Sequence, residues 1–382
     1  MTQISRYSLC TLLICFGLAC DRSRITARDE APRLLGTVDL VIGEADGLEA
    51  PTLFNDIRGI AVDSQGRIIV ADNQTGEVRL FLPNGHHAFT IGQPGKGPGD
   101  LQDPCCISLD AAGRLWVQEP TSQRYSVFGL NDSAADYLFS VPMPGQGSGQ
   151  SDRVSWDPSG RVVHIAGVFN PKTMTFGLVR SVLDTAGRET NRDTLPEPPS
   201  DSLGFAVITG PRGGATGVNQ PYGPGLLRTF GPNGESAVAV SSRYAVSWLN
   251  SEGERIHLLQ RNVEGPIVSD HEREEAEAIL VRLTKNLDVP RSSLPFNVPN
   301  RKAPLRSLGF DLDGRLWVEL SVPADSSRVA HVYRRNGTRV GTMVWPAGVR
   351  LHHWAVRNDT AFGVQLDSMG TQRIVRLHFS PN

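Results

Sequence analysis

Alternating apolar and polar positions recur along the chain as two short strands joined by an Asp-x-x-Gly-Arg turn. The clearest copies are Ile60–Val70, Ile107–Val117, Val154–Val163 and Leu308–Val318. Asp at the first turn position and Gly at the fourth are typical of a type I turn followed by a left-handed residue, which closes a short hairpin. Weaker copies at Thr229–Val238 and Ala355–Val364 bring the set to six.

The repeated unit has a length of roughly 45 residues, which fits one four-stranded propeller blade. Wider spacing before the fourth and fifth copies indicates two insertions. The last copy ends at Arg373–Phe379 without an outer strand, whereas residues 37–42 form a strand without a nearby partner. The pattern therefore predicts an all-β, six-bladed propeller over residues 34–380. The N-terminal strand would close the ring and remove an exposed sheet edge.

One stretch in the second insertion departs from the strand pattern. From Ser269 to about Leu287, the apolar spacing and the acidic first turn predict a capped amphipathic helix. This helix is either a surface helix packed on the propeller or a lid that contacts a partner. Elsewhere the 39 Gly and 26 Pro residues fit many short strands joined by tight turns.

The first twenty residues predict export. Arg6 precedes an apolar stretch, Tyr7–Ala19, that is too short to span a bilayer as a mature helix. It ends in Gly17-Leu-Ala-Cys20, which resembles the processing box of bacterial lipoproteins, with its Leu two residues before the cysteine instead of three. The resemblance implies a signal peptide over 1–20, a lipid on Cys20, a polar tether over 21–33 and anchoring in the bacterial cell envelope. Secretion without an anchor and an uncleaved membrane anchor are the alternatives.

If the signal is removed and Cys20 carries lipid, only Cys105 and Cys106 remain as free cysteines. Neighbouring cysteines in an oxidising compartment can form a vicinal disulfide, which would line a ligand site or act as a redox element. The alternative is two small apolar residues that enter an inner strand. The sequence has no Cys-x-x-Cys or zinc-type spacing. Its net charge of −2 without a basic stripe argues against binding to nucleic acid.

Alignment of the copies on the turn Asp separates packing positions from variable positions. The two residues before the Asp are small and then bulky in every copy, as expected for inner strands that pack between neighbouring blades. Variation begins four and five residues before the Asp, where the chain enters the inner strand near the channel mouth. The predicted ligand-binding residues at these positions are Arg58, Arg153, Arg306, His352 and His353.

The chemistry of these mouth positions favours an anion or a polar polymer. Guanidinium groups bind carboxylate, phosphate or sulfate groups through two hydrogen bonds. A divalent metal would need several oxygen or imidazole ligands, and Asp152 is the only acid at these positions. His352 and His353 are neighbours in a strand and should point to opposite faces. We therefore expect no metal, no cofactor and no catalytic residue. The alternative is that the arginines pair with neighbouring acids such as Asp56, Asp103 and Asp152.

The segment Val70-Ala-Asp-Asn-Gln-Thr-Gly-Glu-Val-Arg-Leu-Phe81 resembles the second half of an NHL repeat. That repeat runs Val-x-Asp, four residues, then Arg and an apolar strand. The copy at Val117–Phe128 keeps the arginine as Arg124, whereas the first copy has Glu77 at this position. Over residues 37–379 the order of elements resembles bacterial six-bladed propeller lipoproteins related to NHL proteins, with an NHL-like or TolB-like fold.

This resemblance implies a fold more than an activity, because propellers support unrelated functions. One interpretation is a non-catalytic, envelope-anchored propeller that binds a protein, peptide or polymer on its loop face. Its contact with the membrane would be through the lipid anchor only. The other is an enzyme similar to peptidyl-amidoglycolate lyases, gluconolactonases or strictosidine-synthase-like hydrolases, with its site in the central channel. The scarcity of acids at the mouth favours binding.

Overall fold

The computed structural model describes residues 31–43, 50–144, 153–170, 175–195, 203–211, 213, 215–367 and 370–381. The predicted signal, the lipidation residue Cys20 and most of the tether lie outside the described residues, as does Asp152. The described chain is mostly strand. The first strand, β1, spans Arg33–Ile42.

Four-stranded antiparallel sheets follow β1 along the chain. The first three consist of β2 (Ile57–Val62), β3 (Ile68–Asp72), β4 (Glu77–Phe81) and β5 (His87–Ile91); β6 (Cys105–Leu109), β7 (Leu115–Glu119), β8 (Arg124–Leu130) and β9 (Ala135–Pro142); and β10 (Ser155–Trp156), β11 (Val162–Asn170), β12 (Thr175–Leu183) and β13 (Glu189–Leu195). A separate hairpin, β14 (Phe205–Thr209) and β15 (Ala215–Asn219), precedes the fourth sheet. That sheet contains β16 (Leu226–Phe230), β17 (Ser236–Val240), β18 (Ala245–Leu249) and β19 (Arg255–Gln260).

The remaining strands form one eight-stranded sheet in the order β20-β21-β22-β23-β1-β26-β25-β24. These strands are β20 (Leu305–Phe310), β21 (Leu316–Leu320), β22 (Arg328–Tyr333), β23 (Arg339–Trp345), β24 (Val349–Arg357), β25 (Thr360–Leu366) and β26 (Gln372–Pro381). The sheet contains two antiparallel groups of four. A short parallel pairing of Arg33–Leu35 with Thr342–Val344 joins them. The N-terminal strand β1 pairs antiparallel with β26 along most of its length, as the sequence predicts.

The sheets have a propeller-like arrangement, which confirms this level of the fold prediction. The first strand of each group of four is its inner strand, and β2 contacts both β6 and β24, while β20 contacts β16 and β24. Apolar clusters fill the spaces between neighbouring sheets. Residues of β2–β4 pack on β24–β26 around Phe81 and Phe362, and residues of β16–β18 pack on β20–β22 around Trp248 and Phe310.

Repeated polar contacts explain the repeated turn. In the first copy Asp63 Oδ1 accepts hydrogen bonds from the backbone N–H groups of Gln65 and Arg67, and Oδ2 accepts one from Arg67 Nε at 2.6 Å. Gly66 supplies the left-handed residue with φ 78°. The same contacts recur at Asp110, Asp157 and Asp311. The Asp and Arg of the repeat therefore stabilise a hairpin.

A second recurring contact ties the inner hairpin to the third strand. Arg124 Nε donates to Glu119 Oε1 at 2.9 Å, and Glu119 is fully buried. In the first copy, where Glu77 replaces the expected arginine, Arg79 lies two residues further along the same strand face. Arg79 forms ion pairs with Glu77 at 2.8 Å and with the buried Asp72 at 3.8 Å. The departure from the NHL pattern is thus compensated within the same strand.

The two insertions pack against each other. Helix α1 spans Asp270–Asn286, and Ser269 is its N-cap in a complete capping box with Glu272. The buried face of α1, with Ala276 and Leu280, shares an apolar cluster with Ile208 and Val218 of the β14–β15 hairpin. The insertions predicted before the fourth and fifth copies therefore form one unit.

Candidate ligand-binding site

The predicted mouth residues coincide with irregular points in the inner strands. One extra residue occurs at Arg58 in β2, at Arg306 in β20 and between Cys105 and Ser108 in β6. In β24 the irregularity is larger, because five residue steps from Leu351 to Val356 face only two steps of β25. Such β-bulges redirect side chains and are frequent beside functional sites.

The bulges at Arg58 and Arg306 expose both guanidinium groups. Arg58 Nε contacts Asp56 at 2.7 Å, and 58% of the Arg58 side chain is exposed. Arg306 Nε contacts Glu319 at 3.2 Å, and 53% of its side chain is exposed. Each arginine therefore has an acidic neighbour, and in both cases the terminal nitrogens have no hydrogen bond with another described residue. A binding role for this pair stays a prediction.

The bulge in β24 buries the two predicted histidines instead of presenting them at the mouth. His352 meets the edge of the Trp354 ring at 5.1 Å, and His353 lies on Trp317 at 5.7 Å and against Gly309. Burial lowers the pKa of His352 to about 3 and also lowers the pKa of His353. Both rings are neutral at pH 7, so neither adds positive charge for an anion. Whether they bind a ligand stays a prediction.

The remaining predicted residues are Cys105 and Cys106, which begin β6, and Arg153, which lies two residues before β10. The structure joins the Sγ atoms of Cys105 and Cys106, and Cys106 has a positive φ of 50°. A Cβ atom on Gly59 of β2 would lie 2.9 Å from Ile107 Cγ1, so the two inner strands approach closely here. Arg153 is buried, and its Nη2 donates to the carbonyl oxygen of Phe230 at 2.9 Å.

A central cavity of about 1120 Å³ lies among the inner strands and their Asp-x-x-Gly turns. Each of the four-stranded sheets contributes to its wall, as do both halves of the eight-stranded sheet. Among the predicted site residues, Arg153 lines this cavity, and Arg58, Arg306, His352 and His353 do not. Most of the wall consists of turn residues that the copies share, so the variable positions of the repeat do not indicate it. Additional lining side chains are Arg114, Ser155, Trp156, Trp354 and Arg357.

The acids of the central cavity are already occupied by donors. Each of Asp63, Asp110 and Asp157 accepts two backbone hydrogen bonds through Oδ1 and an arginine Nε through Oδ2. Burial opposes ionisation of Asp157, but the hydrogen bonds from the Arg161 backbone and guanidinium outweigh it and lower the pKa of Asp157. All three carboxylates are therefore engaged as acceptors within their own turns.

Donors without a partner remain in the same wall. Ser155 Oγ and Trp354 Nε1 are buried and have no hydrogen-bond partner among the described residues. The exposed Arg357 has no ion pair or side-chain hydrogen bond within the described part of the chain. A ligand rich in acceptor oxygens would satisfy these groups, because an unpaired buried donor costs about 1–3 kcal/mol.

Two absences in the described ranges concern metal ions and membrane spans. No group of three or more His, Cys, Asp or Glu side chains is arranged to hold a metal ion there. Within the same ranges, no helix has the length and apolar character needed to cross a membrane.

Comparison with known proteins supports the fold. The family model of the NHL repeat matches residues 54–81, which contain the first Asp-x-x-Gly-Arg hairpin and β4. A protein from Bacteroides fragilis described as exported is similar in structure, with 10% identity, a TM-score of 0.50, and coverage of 90% of this chain and 95% of that chain. At this identity the likeness shows a shared fold and nothing about activity. No curated protein matches the chain.

Two other solved structures are similar at lower TM-scores. Virginiamycin B lyase from Staphylococcus aureus has 12% identity and a TM-score of 0.46, and the match covers 90% of this chain and 99% of that one. Regucalcin from Agrobacterium tumefaciens, a calcium-binding protein, has 9% identity and a TM-score of 0.39, with coverage of 92% and 97%.

Proposed function

We propose that the protein is a six-bladed, non-catalytic binding propeller of the bacterial cell envelope. Its central cavity would hold an acidic segment of a protein, peptide or polymer. The count of six treats the eight-stranded sheet as two blades, one of them completed by β1. A lipid on Cys20 would anchor the chain. Arg58 and Arg306 would contact the parts of the ligand that extend beyond the cavity.

The imbalance between donors and acceptors in the central cavity carries this proposal. Asp63, Asp110 and Asp157 are saturated by their own turns, whereas Ser155 Oγ, Trp354 Nε1 and the Arg357 side chain lack partners among the described residues. A cationic ligand would find no free carboxylate among these three. An anionic ligand would accept hydrogen bonds from the donors that lack partners, without displacing an internal ion pair.

The same observation favours binding over catalysis. A lyase or hydrolase needs a group that can exchange a proton or polarise the substrate at the reaction site. Each cavity acid accepts at least three hydrogen bonds within its own hairpin, and the predicted histidines do not line the cavity. The alternative, an enzyme of the lyase or lactonase type, would require residues other than these to act.

Binding can be measured with polymers of defined charge. Poly-glutamate, polygalacturonate and heparin are acidic probes, dextran is neutral and poly-lysine is basic. We expect the purified protein to bind at least one acidic probe, with affinity that falls as salt rises, and to ignore dextran and poly-lysine. Arg357→Gln should weaken binding about tenfold, since hydrogen bonds to charged groups contribute about 1.5–3 kcal/mol.

Arg335→Gln is the matched control, because Arg335 is also an exposed arginine but lies in the β22–β23 turn outside the cavity wall. Equal losses in the two variants would show that net charge, and not the cavity, determines binding. Failure of every acidic probe to bind would contradict the proposed function.

A further inference from the structure

A second, smaller cavity opens between the β10–β13 sheet and the β16–β19 sheet. This side pocket has a volume of about 270 Å³. Ser155, Trp156, Asp157 and Pro158 line both the side pocket and the central cavity, so the two spaces are neighbours across one short segment.

Two arginines dominate the charge of the side pocket. Arg180 of β12 donates through Nη2 to Asp193 at 2.9 Å and through Nη1 to the carbonyl oxygen of Ser251 at 3.3 Å. Its Nε is buried and has no hydrogen-bond partner among the described residues. Arg161 pairs with Asp157 through Nη2 at 2.6 Å, and 47% of its side chain is exposed.

The acceptors near these arginines are already engaged. Asp157 accepts a hydrogen bond from Arg161 of its own turn. Asp193 accepts hydrogen bonds from both Arg180 and Asn191 Nδ2. The hydroxyl of Ser155, which is 5% exposed, has no partner among the described residues. The pocket wall therefore contains two arginines, one acid that is fully used, and two buried polar atoms that lack a partner.

We propose that the side pocket is a subsite for one anionic oxygen group of the ligand, a carboxylate, phosphate or sulfate. This inference rests on the proposed function, because the rest of the ligand would occupy the central cavity. The anionic oxygens accept from Arg180 Nε and Ser155 Oγ, with the exposed part of Arg161 beside them. A cation would meet two guanidinium groups, and an apolar group would leave both donors without a hydrogen-bond partner.

The pocket also predicts which ligands are selected. With a volume of about 270 Å³ between two sheets, it has room for a group the size of one side chain or one sugar ring. The ligand therefore presents an anionic branch or end at this point, while the neighbouring segment lies along Trp156 in the shared wall. A linear neutral polymer would gain nothing from the pocket.

Small anions test the subsite separately from polymers. Inorganic phosphate, sulfate and acetate are titrated into the purified protein at constant ionic strength, and binding is followed by calorimetry and by the shift in melting temperature. We expect at least one anion to bind the wild type. Arg180→Gln and Ser155→Ala should weaken that binding, by about tenfold for Arg180→Gln. Arg180→Lys, which keeps the charge, should retain part of the affinity and guards against loss through misfolding.

Arg188→Gln is the matched control, since Arg188 lies in the turn of the same sheet with 82% of its side chain exposed and does not line the pocket. If no anion binds, or if binding is unchanged in both Arg180→Gln and Ser155→Ala, the subsite is refuted. Polymer binding that persists in Arg180→Gln but is lost in Arg357→Gln leaves the proposed function intact and removes only the subsite, because Arg180 lines only the side pocket. Anion binding without polymer binding supports the subsite and refutes the wider function.

Discussion

The buried pair of Glu119 and Arg124 gives the strongest test of how the repeated contacts stabilise the fold. Glu119 is fully buried, and 17% of the Arg124 side chain is exposed. The hydrogen bond with Glu119 raises the pKa of Arg124 above its ordinary value despite partial burial. Arg124 also donates to the carbonyl oxygen of Asp100 at 2.7 Å, so it joins β8 to the loop before β6.

Replacement of Arg124 by Met removes the positive charge while it keeps most of the side-chain volume. The carboxylate of Glu119 would then keep only the hydrogen bonds from Ser126 Oγ at 2.5 Å and from the Gln102 backbone at 3.2 Å. Loss of one partner from a buried ion pair costs about 3–5 kcal/mol, because the other charge is left uncompensated. Adding Glu119→Gln to Arg124→Met removes that charge, so the double variant should be more stable than the single one.

Urea unfolding of the purified protein at pH 7, followed by circular dichroism, measures these differences through the free energy of unfolding. Arg58→Met is the matched control, because its ion pair with Asp56 is exposed and such pairs contribute about 0.2–1 kcal/mol. If Arg124→Met lowers the free energy of unfolding no more than Arg58→Met does, at an unchanged m-value, the contact between Arg124 and Glu119 does not stabilise the fold. A double variant less stable than Arg124→Met alone would refute the uncompensated-charge argument.

Three further predictions concern pH, packing and the anchor. The pKa of His352 is about 3 in the folded state against about 6.5 when unfolded, so the unfolded chain binds the extra proton and stability falls as pH drops from 6.5. His352→Phe should reduce that slope by about 1.4 kcal/mol per pH unit, measured by urea unfolding between pH 6.5 and 4.5; an unchanged slope would contradict the assignment. Gly309→Ala should cost about 1–3 kcal/mol because its Cβ would overlap the His353 ring, whereas Gly177→Ala, which meets nothing within 4 Å, should cost far less in the same assay. Cys20→Ala should abolish incorporation of labelled fatty acid and release the protein from the membrane fraction, and retention of the label would rule out Cys20 as the lipidated residue.

Local sequence patterns predicted the elements whose determinants are local. The Asp-x-x-Gly-Arg turns depend on contacts within a segment of five residues, and the capping box of Ser269 and Glu272 lies within a segment of four residues. The long-range pairing of β1 with β26 was also predictable, because the last repeat copy visibly lacked its outer strand. In each case a local motif, or a strand missing from one repeat copy, indicates the contact.

The burial of His352 and His353 was not predictable in this way. Alignment of the copies assumes that each inner strand is regular, so that residues five positions before the turn are equivalent. The extra residues in β24 break this equivalence, since strand register depends on pairing with β25 and on packing against Trp317 of another strand. Alignment of the repeat copies with one another contains no signal for the pairing with β25 or for the packing against Trp317.

The same reasoning explains why the central cavity lies where the copies agree. Variable positions indicate a ligand site only if the repeated residues serve packing alone. Yet each turn Asp accepts hydrogen bonds from the arginine of its own turn. In the cavity wall these acceptors are therefore engaged, whereas the donors Ser155 Oγ and Trp354 Nε1 have no partner among the described residues. The repeat thus sets the electrostatic character of the cavity, and individual departures from it, such as Arg357 in place of the turn Asp in the last copy, supply the free donors. Specificity in this architecture would therefore arise from single substitutions within a shared turn, which makes Arg357 the residue whose replacement tests the proposal most directly.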